Sequence, residues 1–329
     1  MGIEDLFSRS DNACNSSRTV INCHFVYLAS SNSQMRDNGC YFFNDGNDGK
    51  VKQIRAKLGK FDRTNIPKLM SRMGQCFTQS KESDVILRRK KYNKTYDIIG
   101  GKDSCGEPFV FSDGVGKLSE DFAEQIAKDL GLIRCVPSCF QFRHRGLKGV
   151  LSVDPALRQR RLWAEQNGLE DRHGKTDKVN DLDVLFRPSQ DKFHAPRKEI
   201  IEIVKYSSPT PEQIQIPANL GRSMFGVLDE TGLLQYGQIF VQFTNNISLK
   251  TPSKAAAKTI LKIMLLEIEK HLSRVLMTKN PSIVAGDVRV FEAVDLPELR
   301  HLVDVVVFPQ HGPRPLTDEM AGNYEFIMY

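Results

Sequence analysis

Between residues 140 and 192 the chain repeatedly places a cation beside a strand-forming apolar residue. Residues 140–155 read Phe-Gln-Phe-Arg-His-Arg-Gly-Leu-Lys-Gly-Val-Leu-Ser-Val-Asp-Pro. Strand alternation puts Arg143, Arg145 and Lys148 where side chains can converge on one groove. Gly146 and Gly149 mark turns and let a backbone or a nucleotide approach closely. Arginine grips phosphate through a planar fork and lysine acts as a point charge, so the chemistry on offer is phosphate recognition. Arg187 and Lys192, following the strand-like run Leu182-Asp183-Val184-Leu185-Phe186, repeat the pairing of strand and cation. Standing alone, the first segment would read as an exposed basic hairpin.

A second group of cations precedes it. Arg88, Arg89, Lys90 and Lys91 run together and Lys94 follows. Residues 50–102 hold fifteen Lys and Arg against four acids, so this window carries +11 while the rest of the chain carries −5. A field this local attracts a phosphate backbone, although a solvated linker has the same composition.

Other chemistries find little support. Gly116-Lys117 with Ser119 suggests a nucleotide phosphate loop, but that motif needs Gly where Phe111 stands. Asp45 and Asp48 lack the distal Glu of a calcium loop, which leaves a turn. The seven cysteines, at 14, 23, 40, 76, 105, 135 and 139, form no Cys-x-x-Cys pair, so reduced thiols are expected, Cys135 and Cys139 included. His24, inside an apolar run over 20–29, reads as a core residue. Asp181 and Asp183 could be offered as a metal pair, but they lie before a strand, in a different motif.

The elements that must hold these groups are partly legible. Short helices are expected over 51–60 and 65–73, the second capped by Asn65 and stopped by Gly74. Ser119 caps an amphipathic helix whose Phe122, Ile126 and Leu130 share a face, with Gly131 at its end. Residues 229–232 carry a hairpin turn signature. Thr251-Pro252 opens the longest expected helix, whose apolar stripe includes Ile260, Met264, Ile268, Leu272, Val275 and Leu276. Residues 288–294 and 303–308 are β-branched strands bounded by Gly or Pro. No apolar run reaches membrane-spanning length and the start is not a signal peptide, so an intracellular location, cytoplasmic or nuclear, is expected.

Taken in order, these segments resemble the RNA-dependent RNA polymerases of eukaryotic gene silencing, relatives of the largest subunit of DNA-directed RNA polymerases. The resemblance is carried by Arg72-Met73-Gly74-Gln75-Cys76-Phe77, by 140–155, by 182–193, by 221–243 and by Asn280-Pro281 with Gly286-Asp287-Val288-Arg289. The valine strand ending Phe308-Pro309, then Gly312-Pro313-Arg314-Pro315 and Glu319-Met320-Ala321-Gly322, complete it, so that it spans residues 26–322. It implies an α+β fold, a polymerase core of double-psi β-barrels with flanking helices, comprising the first barrel and the start of the second. The implied segments are a basic stretch over 1–104, a first barrel region over 105–250, a connecting helix over 251–277 and a second barrel begun over 278–329.

The resemblance implies template-directed synthesis of RNA from nucleoside triphosphates, magnesium as cofactor, an RNA template as partner and contact with proteins of the silencing pathway. On that basis Lys148 and Lys279 would contact triphosphate or nascent-strand phosphates. Arg143, Arg145, Arg187 and Lys192 would line the RNA channel, with Arg88, Arg89, Lys90 and Lys91 as further RNA contacts. Two departures stand out. Val284-Ala285 replaces the family's His-Pro, and after Gly322 the chain continues Asn323-Tyr324-Glu325 where the family has an aspartate-rich metal loop. The expectation is therefore a core cut short at that loop and inactive by itself, with strand edges left uncovered; the alternative is a non-catalytic RNA-binding or scaffold protein.

Overall fold

A computed structural model describes residues 24–31, 34–35, 38–45, 49–77, 81–132, 136–166, 181–195, 199–207, 222–243, 273–279, 288–315 and 325–328. The expected helix over 251–272, Cys135, and the motif residues at 280–287 and 319–322 lie outside them. The chain divides into two compact units, Met1–Thr78 with Phe193–Pro196, and Gln79–Lys192 with Arg197–Tyr329.

In the first unit, β1 (Phe25–Ala29) and β2 (Tyr41–Asn44) pair antiparallel, and α1 (Lys50–Leu58) and α2 (Ile66–Gly74) follow. Leu28, Ala29 and Val51 form a small core, against which Val26, Ile54, Met73 and Phe77 pack. The Asp45 carboxylate accepts from the backbone N–H of Gly49 (3.1 Å) and Val51 (2.7 Å), so this aspartate shapes the turn into α1. Asn65 caps α2 as expected, accepting from the Lys68 N–H at 3.0 Å. Gly74 does not end the helical path, which tightens into a 3-10 turn over Gln75–Phe77. Glycine is required there because a Cβ would meet the Ser30 carbonyl oxygen at 2.5 Å. His24 is exposed, at the edge of the strand rather than in the core.

The second unit holds the larger architecture. β3 (Lys81–Ile86), β4 (Tyr92–Lys94), β7 (Val115–Leu118), β8 (Cys139–His144), β9 (Leu147–Val153), β10 (Val184–Phe186) and β11 (Ile200–Tyr206) form one sheet in the order β3-β11-β8-β9-β7-β10-β4. The short β5 (Ile99–Lys102) and β6 (Pro108–Val110) pair with each other. Six strands form a closed barrel: β12 (Arg222–Leu228), β13 (Gln238–Gln242), β14 (Ser273–Lys279), β15 (Val288–Ala293), β16 (Val305–Phe308) and β17 (Glu325–Met328), in the order β12-β16-β13-β15-β14-β17.

The sheet and the barrel follow one pairing scheme. From β12, the neighbours are parallel (β16), antiparallel (β13), parallel (β15), antiparallel (β14), antiparallel (β17) and antiparallel back to β12. From β4, the sheet runs parallel (β10), antiparallel (β7), parallel (β9), antiparallel (β8), antiparallel (β11) and antiparallel to β3. β12 pairs with β17 through Arg222 to Phe225 and with β16 through Phe225 to Leu228. In the sheet these two halves are separate strands, β3 and β4, split by residues 87–91 with a 3-10 turn over Arg89–Lys91. Those residues can span at most about 20 Å, so the two edges are drawn together and the sheet is curled. Two copies of a six-strand double-psi topology thus lie in tandem, in agreement with the expected α+β class and paired barrels.

Three expectations are corrected. The last residues of the expected connecting helix, from Ser273 on, form β14 instead, because six consecutive residues pair with β15. The turn at 229–232 exists, with the Asp229 carboxylate accepting from Thr231 N (2.9 Å) and Leu234 N (2.8 Å) and Gly232 at φ 74°. Its flanking strands form no hairpin, since β16 lies between β12 and β13. The edges expected to be uncovered in the second barrel are paired, because β17 bonds to both β12 and β14. Strands from 222–242 and 273–328 share that barrel, and strands from 81–206 share the sheet.

Three clusters of buried side chains fill this unit. One lies in the curled sheet and takes in α3 (Glu120–Asp129) through Phe122, Ala123 and Ile126. Another fills the closed barrel around Met224, Ile239, Met277, Phe291 and Val306. The third joins them, packing Phe111, Val115 and Val150 against Phe225, Val227, Phe240 and Val305. Ser119 caps α3 by accepting from Phe122 N at 3.2 Å.

Candidate phosphate-binding site

The hairpin of β8 and β9 turns through two left-handed residues, Arg145 (φ 53°) and Gly146 (φ 86°). Positive φ at both central positions is the geometry of the tightest hairpin loops, whose twist matches that of the strands. Arginine is an unusual occupant, and its guanidinium is held: it donates to the Tyr92 hydroxyl at the start of β4. The Arg89 guanidinium lies 5.0 Å from the centre of the same ring, a cation–π contact. Two basic motifs more than fifty residues apart in sequence therefore meet on one tyrosine. Arg88, Arg89 and Lys90 are exposed, whereas Lys91 is paired with Asp181 at 2.5 Å.

His144 stands just before the turn, its ring stacked on Phe186 and edge-on to Tyr92. Burial pushes its pKa down to about 4, so the ring is neutral at pH 7. Its Nδ1, 3.1 Å from the Ile200 carbonyl oxygen, is the nitrogen that carries the hydrogen and donates it.

Arg143 faces Lys148 across the hairpin and Glu202 across the neighbouring β11. Burial lowers the proton affinity of Lys148, and the charges of Arg143 and Lys192 lower it further. The third cation arrives by a separate route. After β10 a 3-10 turn, Pro188–Gln190, delivers Asp191 into a bridge with Leu147 and the Lys192 N–H to the Gly146 carbonyl (3.1 Å). The Lys192 ammonium donates to the Ser189 carbonyl oxygen at 2.5 Å. Asp191 pairs with Lys94 at 2.6 Å. Arg143, Lys148 and Lys192 repel one another here, and an arriving anion would relieve that repulsion.

The structure uses Arg187 otherwise than expected. Its side chain is only 2% exposed and donates to the Val115 carbonyl (2.8 Å), the Tyr96 carbonyl (3.2 Å) and Glu230 (2.9 Å). Glu230, from the turn after β12, also pairs with Lys117 (3.0 Å), which in turn pairs with Asp154 (2.9 Å). Arg187 thus ties the sheet to the barrel and does not line a channel. Gln190 is fully buried beside it, accepting from Arg187 N (3.0 Å) and donating to the carbonyls of Gly114 (3.2 Å) and Val150 (3.1 Å). Gly149 is where a backbone approaches closely, but the backbone is the chain's own: a Cβ there would meet the Gly114 oxygen at 2.1 Å. Lys279 ends β14 of the barrel, whereas Lys148 stands on β9 of the sheet.

Tyr92, which joins the two basic motifs, was not singled out by the sequence; an aromatic directly after four cations was the available signal. Asp181 and Asp183 are engaged by Lys91 and by Arg161 of α4 (Pro155–Gln166), at 3.1 Å and 2.8 Å from Arg161. Among the described residues no group of three or more His, Cys, Asp or Glu could hold a metal ion, so they do not fit the magnesium that the resemblance implies. No helix of the described residues is long and apolar enough to cross a membrane.

Comparison with known proteins adds the family. A family model described as RNA dependent RNA polymerase matches residues 2–213 and 210–323. The chain is 30% identical over 374 residues to probable RNA-dependent RNA polymerase 1 of Oryza sativa subsp. japonica, covering 93% of this chain and 47% of that protein. It is 29% identical over 367 residues to RNA-dependent RNA polymerase 1 of Arabidopsis thaliana, with 91% and 31% covered. It is 26% identical over 410 residues to RNA-dependent RNA polymerase 1 of Schizosaccharomyces pombe, with 97% and 32% covered. The chain spans less than half the length of these relatives. Among solved structures, RNA dependent RNA polymerase QDE-1 from Thielavia terrestris matches with a TM-score of 0.56 at 17% identity, over 79% of this chain and 37% of that one.

Proposed function

Because this chain belongs to the RNA-dependent RNA polymerase family, we propose that it serves template-directed synthesis of RNA from nucleoside triphosphates in gene silencing. An RNA template, nucleoside triphosphates and silencing-pathway proteins are its partners. The cations around the β8–β9 hairpin hold phosphates. The observation that carries this reading is the convergence of three cations at one turn: Arg143 faces Lys148 across the β8–β9 hairpin, and the Lys192 N–H is bonded to the Gly146 carbonyl. Phosphate oxygens would accept from these three side chains, and charge that builds on a departing pyrophosphate would be stabilised where water is partly excluded. Arg145 and Arg89, set by Tyr92, would take backbone phosphates of the strand. Nucleotidyl transfer in this family is expected to need a divalent metal, and no donor set among the described residues fits one.

That misfit favours a second reading, RNA binding without catalysis. One experiment separates the two: incorporation of labelled nucleotide on a homopolymer template by the 329-residue chain across a magnesium titration, beside RNA binding measured by fluorescence anisotropy. Metal-dependent incorporation that falls about a hundredfold in Lys148→Met supports the polymerase reading. Salt-sensitive RNA binding with no incorporation at any metal concentration overturns it in favour of the second.

A further inference from the structure

The turn that brings Lys192 to the hairpin is built around a buried glutamine. Gln190 is fully enclosed and its carboxamide is used to capacity: Nε2 donates to the carbonyls of Gly114, just before β7 (3.2 Å), and of Val150 on β9 (3.1 Å), while Oε1 accepts from Arg187 N (3.0 Å). Two glycines clear the space it occupies. A Cβ at Gly116 would meet Oε1 at 2.7 Å, and one at Gly149 would meet Nε2 at 3.0 Å. An apolar side chain could fill a core position without needing three partners, whereas a carboxamide there fixes the backbone it bonds.

What it fixes is the path from β10 to Lys192. The Gln190 N–H bonds back to the Arg187 carbonyl at 3.0 Å and closes the turn over Pro188, whose ring holds its own φ. Ser189 is pinned by Asp97, which accepts from its N–H (2.8 Å) and its hydroxyl (2.7 Å). The Ser189 carbonyl in turn takes the Lys192 ammonium at 2.5 Å. Among the described residues that engages one of the three ammonium donors and leaves two for an arriving anion. Arg187 anchors the other end of the turn, its guanidinium shared between the Tyr96 and Val115 carbonyls and Glu230 of the loop after β12. The placing of the Lys192 ammonium therefore descends from a carboxamide inside the sheet and a carboxylate on the barrel.

We propose that Arg187 and Gln190 form one positioning unit, which aims the Lys192 ammonium at the phosphates held by Arg143 and Lys148 and makes that aim depend on Glu230 of the barrel. This role rests on the reading of the hairpin cations as a phosphate site. It adds that the site, although its cations all stand on the sheet, draws part of its geometry from the second barrel. Neither Arg187 nor Gln190 touches the anion; both act through the turn. Were Gln190 mere filling, an apolar residue of like size in its place would leave Lys192 where it is.

The test follows Lys148 in the full chain by NMR of isotope-labelled lysine side chains over a pH series, beside calorimetric binding of inorganic tripolyphosphate. Burial and then the charges of Arg143 and Lys192 lower the proton affinity of Lys148, so the midpoint of its titration reports whether Lys192 stays in place. Lys192→Met should raise that midpoint, and Gln190→Leu should raise it by at least about half as much. Both should weaken tripolyphosphate binding by about fivefold or more. Glu230→Gln, which keeps the shape of the side chain and carries the test if Gln190→Leu does not fold, should move the midpoint in the same direction. A midpoint that stays at its wild-type value in Lys192→Met, Gln190→Leu or Glu230→Gln would overturn the proposal even if the variant melts earlier, because a merely structural role moves the melt alone. Tripolyphosphate binding that survives Lys148→Met and Lys192→Met unchanged defeats the reading of the site instead, and the Lys148 midpoint then judges the positioning by itself.

Discussion

Arg145 and Arg187 carry the same guanidinium and meet opposite fates. Each follows or ends a strand, and nothing in its local sequence says whether it faces out. Glu230 decides the matter for Arg187, from more than forty residues further on, by offering a carboxylate at 2.9 Å in a dry setting. Arg187→Met removes the donor of the Val115 and Tyr96 carbonyls and leaves Glu230 with Lys117 alone, so it should cost about 3 kcal/mol, read as a fall in the urea midpoint. Adding Glu230→Gln should then cost little more; independent additive losses would show that the two side chains do not act as a pair. His144 gives a dependence on pH. Its folded pKa of about 4 lies below the unfolded value of about 6.5, so the unfolded chain takes up the proton first. Its contribution is complete above the unfolded value and is lost as pH falls through the window between the two. His144→Phe should flatten the stability profile there, and a variant with the wild-type slope would assign the slope to other groups.

Elements with local signals were legible. Asn65 and Ser119 announce the helices they cap, and the β-branched runs announce β15 and β16. β14 was not, because Val275 and Leu276 continue a helical stripe as readily as a strand, and only the partner β15 settles the choice. Glycines were noticed but their purpose was misread: Gly149 leaves room for Gly114 and Gln190 of the same fold, not for a nucleotide. Gly149→Ala should therefore destabilise the chain by about 2 to 3 kcal/mol through overpacking against backbone, seen in a thermal melt, and not merely weaken RNA binding. A variant as stable as the parent would show that β7 and β9 can part to admit a methyl group.

At the scale of the molecule, the family and the α+β class were legible because many motifs occur in order. The tandem repeat was not, although Leu182-Asp183-Val184-Leu185-Phe186 and Val303-Asp304-Val305-Val306-Val307-Phe308 echo each other. Each copy inserts a late strand between two early ones, β10 between β4 and β7, and β16 between β12 and β13. Such pairing is set by long-range packing and leaves no local trace. A shared core then binds the copies together, with Val115 and Val150 from one meeting Phe225 and Val305 from the other.

The break between β3 and β4 gives the two hoops different characters. The second is continuous, whereas the first is fastened by a clasp, and four consecutive positive charges, Arg88, Arg89, Lys90 and Lys91, form it. Lys91 is bolted to Asp181, and its carbonyl receives the Asp183 N–H at 2.7 Å. A polyanion resting on the clasp bears on the same residues that fasten the hoop, so affinity and rigidity are entangled at these four positions.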